Sequence, residues 1–423
     1  MKLKKLIAGA LSAAVTMSVM AGCGDTSSSD NSAGTTAAPQ TAAAQESQAE
    51  ESTDTANESE NSAETENAET SAETDAAPET GAAVSESGTR IITDHTGAEV
   101  ELPAEINRVV ISSILPLPSV YCLFRGSAED VVGIDPSSMA AAENSYLINV
   151  FPELKNADTS FAAGDDINIE ELLALDPDVV FYRAEEPAER ELYENAGIPA
   201  VGFSTTIAKF DAVETYAAWI ELLGEIYGEQ ETANDIIAEG REVAEKISSV
   251  SSTIPDEEKP KVLILMTYSD TVMTASGNPH FGNYWITTAG GINVAADTAG
   301  APEINMEQIY EWDPDIVILT NFSQYSPDDI YNNTVEGRDW STVSAVQKGQ
   351  VYKFPLGMYR WFPPASDTPL SLQWMAKTIQ PSYFEDIDMD STIKDYYQRH
   401  YNETLSDEDL QKIYNPSGKA AGN

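Results

Sequence analysis

INIEELLALDPDVV at residues 167–180 returns as INMEQIYEWDPDIV at residues 304–317, 137 positions later, in the same register and with seven of fourteen residues identical. Two similar modules in one chain are implied. Each copy reads as a short helix opened by an Asn cap and closed at Asp-Pro, where the proline ring removes a backbone donor. An apolar, β-branched run follows each proline, the pattern of a buried strand. What leaves those two strands is expected to face the partner module.

Around the first copy, residues 90–94 and 98–102 read as a hairpin whose turn, at 95–97, leaves His95 open to solvent. Buried strands follow at 108–111, 131–134, 179–182 and 199–203, with helical stretches between them. The second module repeats the plan with strands at 261–266, 316–319 and 350–354. Such alternation argues for an α/β fold of two doubly wound lobes with mostly parallel sheets. Between the lobes lies a helix over 211–227 that ends at Gly228. A second helix over 229–250 carries Ile236, Ile237, Val243, Ala244 and Ile247 at helical spacing. At 1.5 Å per residue it would be about 33 Å long, a backbone helix joining the lobes and leaving little hinge motion. The folded part divides into lobes at 89–228 and 251–416, the joining helix at 229–250 and a tail at 417–423.

The amino terminus reads as processing. Lys2, Lys4 and Lys5 precede an apolar run, and Met20-Ala21-Gly22 places small residues before Cys23. The apolar run is shorter than the roughly 20 residues a spanning helix needs. Residues 1–22 are therefore expected to be a lipoprotein-type signal, with Cys23 lipidated and the protein held at the outer face of the cytoplasmic membrane. Residues 24–88 hold 15 acids, no Lys or Arg and no aromatic residue. Such a stretch cannot bury enough apolar surface to fold. As a tether of 65 residues it would reach about 45 Å. Residues 89–423 carry 55 acids against 20 Lys plus Arg, a net charge of −35. That balance excludes nucleic acid as a partner, since phosphate binding needs clustered basic charge. With Cys23 anchored, only Cys122 remains, too few for a disulfide framework or a cysteine metal site.

Several stretches, in this order and spacing, resemble one family. They are the hairpin from Arg90 with its Leu102-Pro103 exit, both Asp-Pro-Asp motifs and AGIPAV at 196–201. Further on come LLG at 222–224, AGGIN at 289–293 and WSTVSAVQKGQVY at 340–352. The chain resembles the helical-backbone (class III) substrate-binding proteins of ABC importers, which serve ferric siderophores, haem and cobalamin. The resemblance implies a ligand cleft between the lobes, lined by loops at the carboxyl ends of the strands, where open α/β sheets bind ligands. Here those loops are 112–116, which includes Ser113, then Tyr182-Arg183, Met266-Thr267-Tyr268, Thr320-Asn321-Phe322 and 356–362, which includes Tyr359, Arg360 and Trp361.

Arg183 and Arg360 are the first candidates for ligand contact, because a guanidinium grips carboxylate or catecholate oxygens in a bidentate fork. The competing reading pairs each with a nearby acid such as Glu185 or Asp367. Tyr182, Tyr268, Tyr359 and Trp361 offer stacking surfaces or a phenolate for iron, although aromatics at strand ends also serve as packing. His280 is a weak candidate metal ligand, since spacing supplies no second ligand. Glu170 and Glu307 occupy equivalent positions in the two repeat copies. The resemblance implies that such a pair docks on arginines of a two-fold permease dimer, while a helix-first-turn Glu is also favoured by the dipole alone.

The sequence therefore points to a monomeric, non-enzymatic lipoprotein with no intrinsic cofactor. It would capture a metal chelate, with a ferric siderophore first, and hand it to an ABC permease. Haem, cobalamin and oxyanions such as molybdate stay open, as does a tethered sensor or adhesin. No Gly-x-Ser-x-Gly elbow, phosphate loop or His-Glu-x-x-His pair gives catalysis a footing.

Overall fold

The computed structural model describes residues 88–164 and 166–421. The expected signal segment, Cys23 and nearly all of the acidic tether fall outside the described residues. The first lobe opens with the antiparallel hairpin of β1 (Thr89–Thr93) and β2 (Glu99–Pro103). It continues through β3 (Val109–Ile111), α1 (Leu117–Arg125), β4 (Val131–Ile134), α2 (Pro136–Glu143) and α3 (Leu147–Val150). A small pair, β5 (Ala162–Ala163) and β6 (Asp166–Ile167), precedes α4 (Ile169–Ala174), β7 (Val179–Arg183), α5 (Pro187–Ala196) and β8 (Ala200–Phe203). The main sheet runs β4-β3-β7-β8, with every pairing parallel. Its central strands are apolar without alternation because helices cover both faces.

Thr96 and Gly97 of the hairpin turn are exposed, but His95 is not open to solvent as expected. Asp94 is buried, and its carboxylate accepts from the Gly202 amide of β8 at 2.8 Å. That pins the turn on the sheet, so half-buried His95 accepts from the Ser204 amide through Nδ1 at 3.1 Å. Burial pushes its imidazole below the usual value.

Two helices follow in a tight antiparallel hairpin, α6 (Ala212–Tyr227) and α7 (Gln230–Ser251). Asp211 caps α6 by accepting from the Val213 and Glu214 amides, worth about 1 kcal/mol. Gly228, at φ 70°, ends it in the left-handed region that favours glycine. A Cβ on Gly224 would stand 2.8 Å from that of Ala233, so only glycine lets the two helices approach this closely.

The second lobe has β9 (Lys261–Tyr268), β10 (Met273–Ala275), α8 (Phe281–Thr288), β11 (Ile292–Asn293), α9 (Met306–Trp312) and β12 (Ile316–Leu319). After these come α10 (Pro327–Tyr331), α11 (Ser344–Gln347), β13 (Val351–Lys353), α12 (Thr368–Ile379), α13 (Met389–Tyr401) and α14 (Asp407–Tyr414). Its sheet runs β10-β9-β12-β13, with β11 also on β9. Only β10 is antiparallel. α7 packs on α1 and α6 of the first half and on α8 and α12 of the second, using the stripe Ala233, Ile236, Ile237, Gly240 and Ile247.

The repeat builds the same joint twice. Asn168 caps α4 and Asn305 caps α9 through side-chain oxygens that accept first-turn amides. Each helix ends before an Asp in the left-handed region, Asp176 at φ 47° and Asp313 at φ 41°. The second Asp of each motif then reaches the first strand of its sheet, Asp178 accepting from the Arg108 amide and Asp315 from the Lys261 amide. The basic side chains at those positions return the contact. Arg108 donates to the Leu175 and Asp176 carbonyls and Lys261 to the Trp312 carbonyl, satisfying groups a helix end leaves open.

Candidate ligand-binding site

The segment that follows β13, residues 354–362, crosses from one lobe to the other. On its own side, Asn321 at the end of β12 donates from Nδ2 to the Pro355 carbonyl at 2.9 Å. On the opposite side, the Tyr146 amide donates to the Gly357 carbonyl at 2.8 Å and the Ser145 hydroxyl to the Met358 carbonyl at 3.1 Å. Beneath it lies Asp367, fully buried, whose Oδ2 accepts from the amides of Met358 (2.6 Å) and Tyr359 (3.2 Å). Burial pushes its carboxyl up to about 7, against the pull of those two amides. Gly357 has no room for a side chain, since a Cβ would meet Asp367 Oδ2 and the Tyr397 hydroxyl at 2.6 Å each.

This loop presents Tyr359 and Arg360 between the lobes. The Tyr359 ring packs with Leu115 and Ala141 of the first lobe and Ala365 of the second. Arg360 is 2% exposed, and among the described residues no carboxylate pairs with it. Its Nη1 donates to the Tyr359 hydroxyl at 2.8 Å. Its Nε and Nη2 both donate to the Ala420 carbonyl, at 3.2 and 2.7 Å. Its guanidinium carbon stands 5.0 Å from the centre of the Phe322 ring and 5.3 Å from that of Tyr359. Burying a guanidinium without an ionised partner is costly, so this is an arrangement that needs a physical reason. Burial raises the Tyr359 hydroxyl above its ordinary value, with neighbouring Asp135 adding to the effect and Arg360 opposing it.

A row of rings leads away from Arg360. Phe322 stands edge-on to Phe362, and His280 is stacked between Phe362 (5.6 Å) and Phe210 (5.7 Å). Its Nδ1 is 2.7 Å from the Ser276 hydroxyl, and burial holds its pKa down at about 4. The ring is thus neutral at physiological pH. Among the described residues no group of three His, Cys, Asp or Glu could hold a metal ion.

The other expected site residues lie elsewhere. Tyr182 packs in the core of the first lobe against Tyr193, and Tyr268 packs in the core of the second against Trp340 and Tyr325. Arg183 forms an ion pair with Glu186, and its amide donates to the Ser113 hydroxyl at 3.0 Å. Glu185 instead accepts from Ser204, Thr205 and Thr206. Trp361 is fully buried beneath the loop. Glu170 and Glu307 are exposed in the first turns of α4 and α9, without an ion-pair partner among the described residues. Phe322 lies at the cleft loop where it was expected, whereas Asp367, Phe210 and Ala420 were not among the expected ligand contacts. Only Asp367, an acid in an otherwise apolar and hydroxyl-rich stretch, left a local signal. Cavities of about 400 and 830 Å³ open along α7 and α13, away from the loop.

The family model for periplasmic binding proteins matches residues 120–356, more than half of the chain. The chain belongs to the periplasmic binding protein family. A periplasmic solute binding protein from Veillonella parvula DSM 2008 is 35% identical, with a TM-score of 0.70 over 77% of this chain and 97% of that one. The molybdate-binding protein MolA of Haemophilus influenzae is 26% identical over 344 residues, 74% of this chain and 91% of that protein. An uncharacterized ABC transporter substrate-binding lipoprotein, YvrC of Bacillus subtilis, is 24% identical over 269 residues, 62% of this chain and 76% of that protein. The resemblance to class III binding proteins is thereby established, together with the two-lobed α/β fold. Members of the family bind solutes outside the cytoplasm for ABC importers, and binding rather than catalysis is their activity. No described helix is long and apolar enough to cross a membrane.

Proposed function

We propose that the protein captures a compact oxyanion of the molybdate type between its lobes and delivers it to an ABC permease. The observation that carries this reading is Arg360, a buried guanidinium that forms no ion pair with a carboxylate among the described residues, in a chain of net charge −47. A tetrahedral oxyanion would supply the missing negative charge and accept the bidentate fork. Tyr359 accepts from Arg360 through its oxygen, so its own proton is free to donate to the same anion. The similarity to a molybdate-binding relative points the same way. The ferric siderophore that the sequence favoured becomes the second reading, supported by the row of rings from Phe322 to Phe210 and by the half-exposed Arg183. Haem gains less, since Nδ1 of His280 is already 2.7 Å from the Ser276 hydroxyl.

Glu170 and Glu307 would dock the two lobes on the permease, and a concavity of about 490 Å³ beside Glu307 gives a permease side chain room. Cys23 would carry the lipid, in line with the lipoprotein name of one relative. The deciding experiment is calorimetric titration with sodium molybdate and with a ferric catecholate, on the wild type and on Arg360→Ala. Molybdate binding that is lost in the variant supports the oxyanion; binding of the catecholate alone selects the second reading.

A further inference from the structure

The fork of Arg360 is already occupied by the chain itself. Residues Gly418–Ala421 form a 3₁₀ turn whose Ala420 is 1% exposed, and the Ala420 carbonyl receives both Nε and Nη2. The Nε and Nη2 donors that converge on this one oxygen are the same edge of the guanidinium that would form two parallel bonds to two oxygens of an oxyanion. The turn is wedged rather than loosely draped. A Cβ on Gly418 would fall 2.4 Å from the Gln324 carbonyl in the loop after β12, and the turn also rests on α2 of the first lobe. It therefore spans the two lobes at the point where Tyr359 and Arg360 lie.

Its contacts are those of a substitute, not of a core element. Between α14 and the turn, Asn415 and Ser417 are exposed, and the turn's own backbone bond runs from the Ala420 amide to the Ser417 carbonyl at 3.1 Å. A peptide carbonyl is neutral. It brings no negative charge to Arg360, whereas an oxyanion would add an ionised acceptor to the already ionised donor.

We propose that residues 417–421 are an internal plug of the ligand site, a self-ligand that holds Arg360 in the empty protein and is displaced by the bound anion. This rests on the reading of Arg360 as the anion anchor. The consequence is quantitative, because the apparent dissociation constant equals the intrinsic one divided by the fraction of molecules with the site open. A plug docked in nine molecules of ten weakens apparent affinity about tenfold.

The test compares three variants with the wild type by molybdate titration: a stop after Pro416, Gly418→Val, which dislodges the turn without shortening the chain, and Arg360→Ala. Hydrogen exchange at the Ala420 amide is followed in the ligand-free wild type, Gly418→Val and Arg360→Ala. The expected result is tighter molybdate binding, by about tenfold, in the first two variants. Arg360→Ala should lose binding, and its Ala420 amide should lose protection. If the stop and Gly418→Val bind as the wild type does while Arg360→Ala does not bind, the plug is overturned and the anion site stands. If Arg360→Ala binds normally, the site reading fails and the plug falls with it. Weaker binding in both tail variants would make the tail part of the ligand site and would also overturn the plug.

Discussion

Replacing Asp367 by Asn should change the sign of the stability difference between variant and wild type as pH rises. The carboxyl is fully buried, and its pKa rises from the usual 3.8 to about 7. A group whose folded value is raised binds more protons in the native state than in the unfolded chain, so its contribution is fully present below the unfolded value and is lost as pH climbs through the folded one. Between pH 4 and 8 the wild type therefore loses stability from this group, by about 4 kcal/mol for a displacement of that size. Asn keeps an oxygen for the Met358 and Tyr359 amides but carries no charge to bury. Urea unfolding followed by tryptophan fluorescence at pH 5, 6, 7 and 8 reads the difference directly. At pH 5 the two proteins should be close, with the wild type ahead by the better geometry of its own side chain. At pH 8 the Asn variant should be the more stable. A difference that stays constant across the four pH values would refute the placement of a strained carboxylate under the loop.

Other outcomes follow from the same geometry. Reversing charge at both Glu170 and Glu307 to Arg should leave ligand affinity unchanged and abolish uptake in cells, and normal uptake would remove the docking role. Gly277→Ala should cost about 3 kcal/mol, the upper range for overpacking, because its Cβ would lie 2.1 Å from the Thr298 carbonyl; a thermal midpoint equal to the wild type would count against that contact.

The elements that were legible from sequence are those whose signals are local and long. Asp211, Gly228 and the stripe on α7 spell out a helix hairpin with no help from distant residues. The repeat announced its caps and its breaks, yet the reciprocal contacts of Arg108 and Lys261 depend on the sheet bringing residues 51 and 67 positions apart together. β10 and β11 are three and two residues long, too short for any periodicity to declare, and they exist because β9 offers them an edge. His95 read as exposed because nothing near it in sequence reveals that Asp94 reaches Gly202.

At the site the same division holds. Tyr359 and Arg360 could be found because they sit on a loop leaving a strand end. The partner of Arg183 was also within reach, since Glu186 stands three positions on. Tyr182 was not separable from a cleft residue by position alone. Successive strand residues face opposite sides of a sheet, and helix α5, carrying Tyr193, covers the side it faces. Ala420, 60 positions from Arg360, has a side chain with nothing to announce and acts only through its carbonyl.

Crystals grown with molybdate and measured on both sides of the molybdenum K edge would show whether Arg360 anchors an anion between the lobes. One strong anomalous peak is expected within hydrogen-bonding reach of the Arg360 guanidinium and the Tyr359 hydroxyl, with the Ala420 carbonyl moved away. A peak elsewhere in the molecule, with the Arg360 fork still on Ala420, would contradict it.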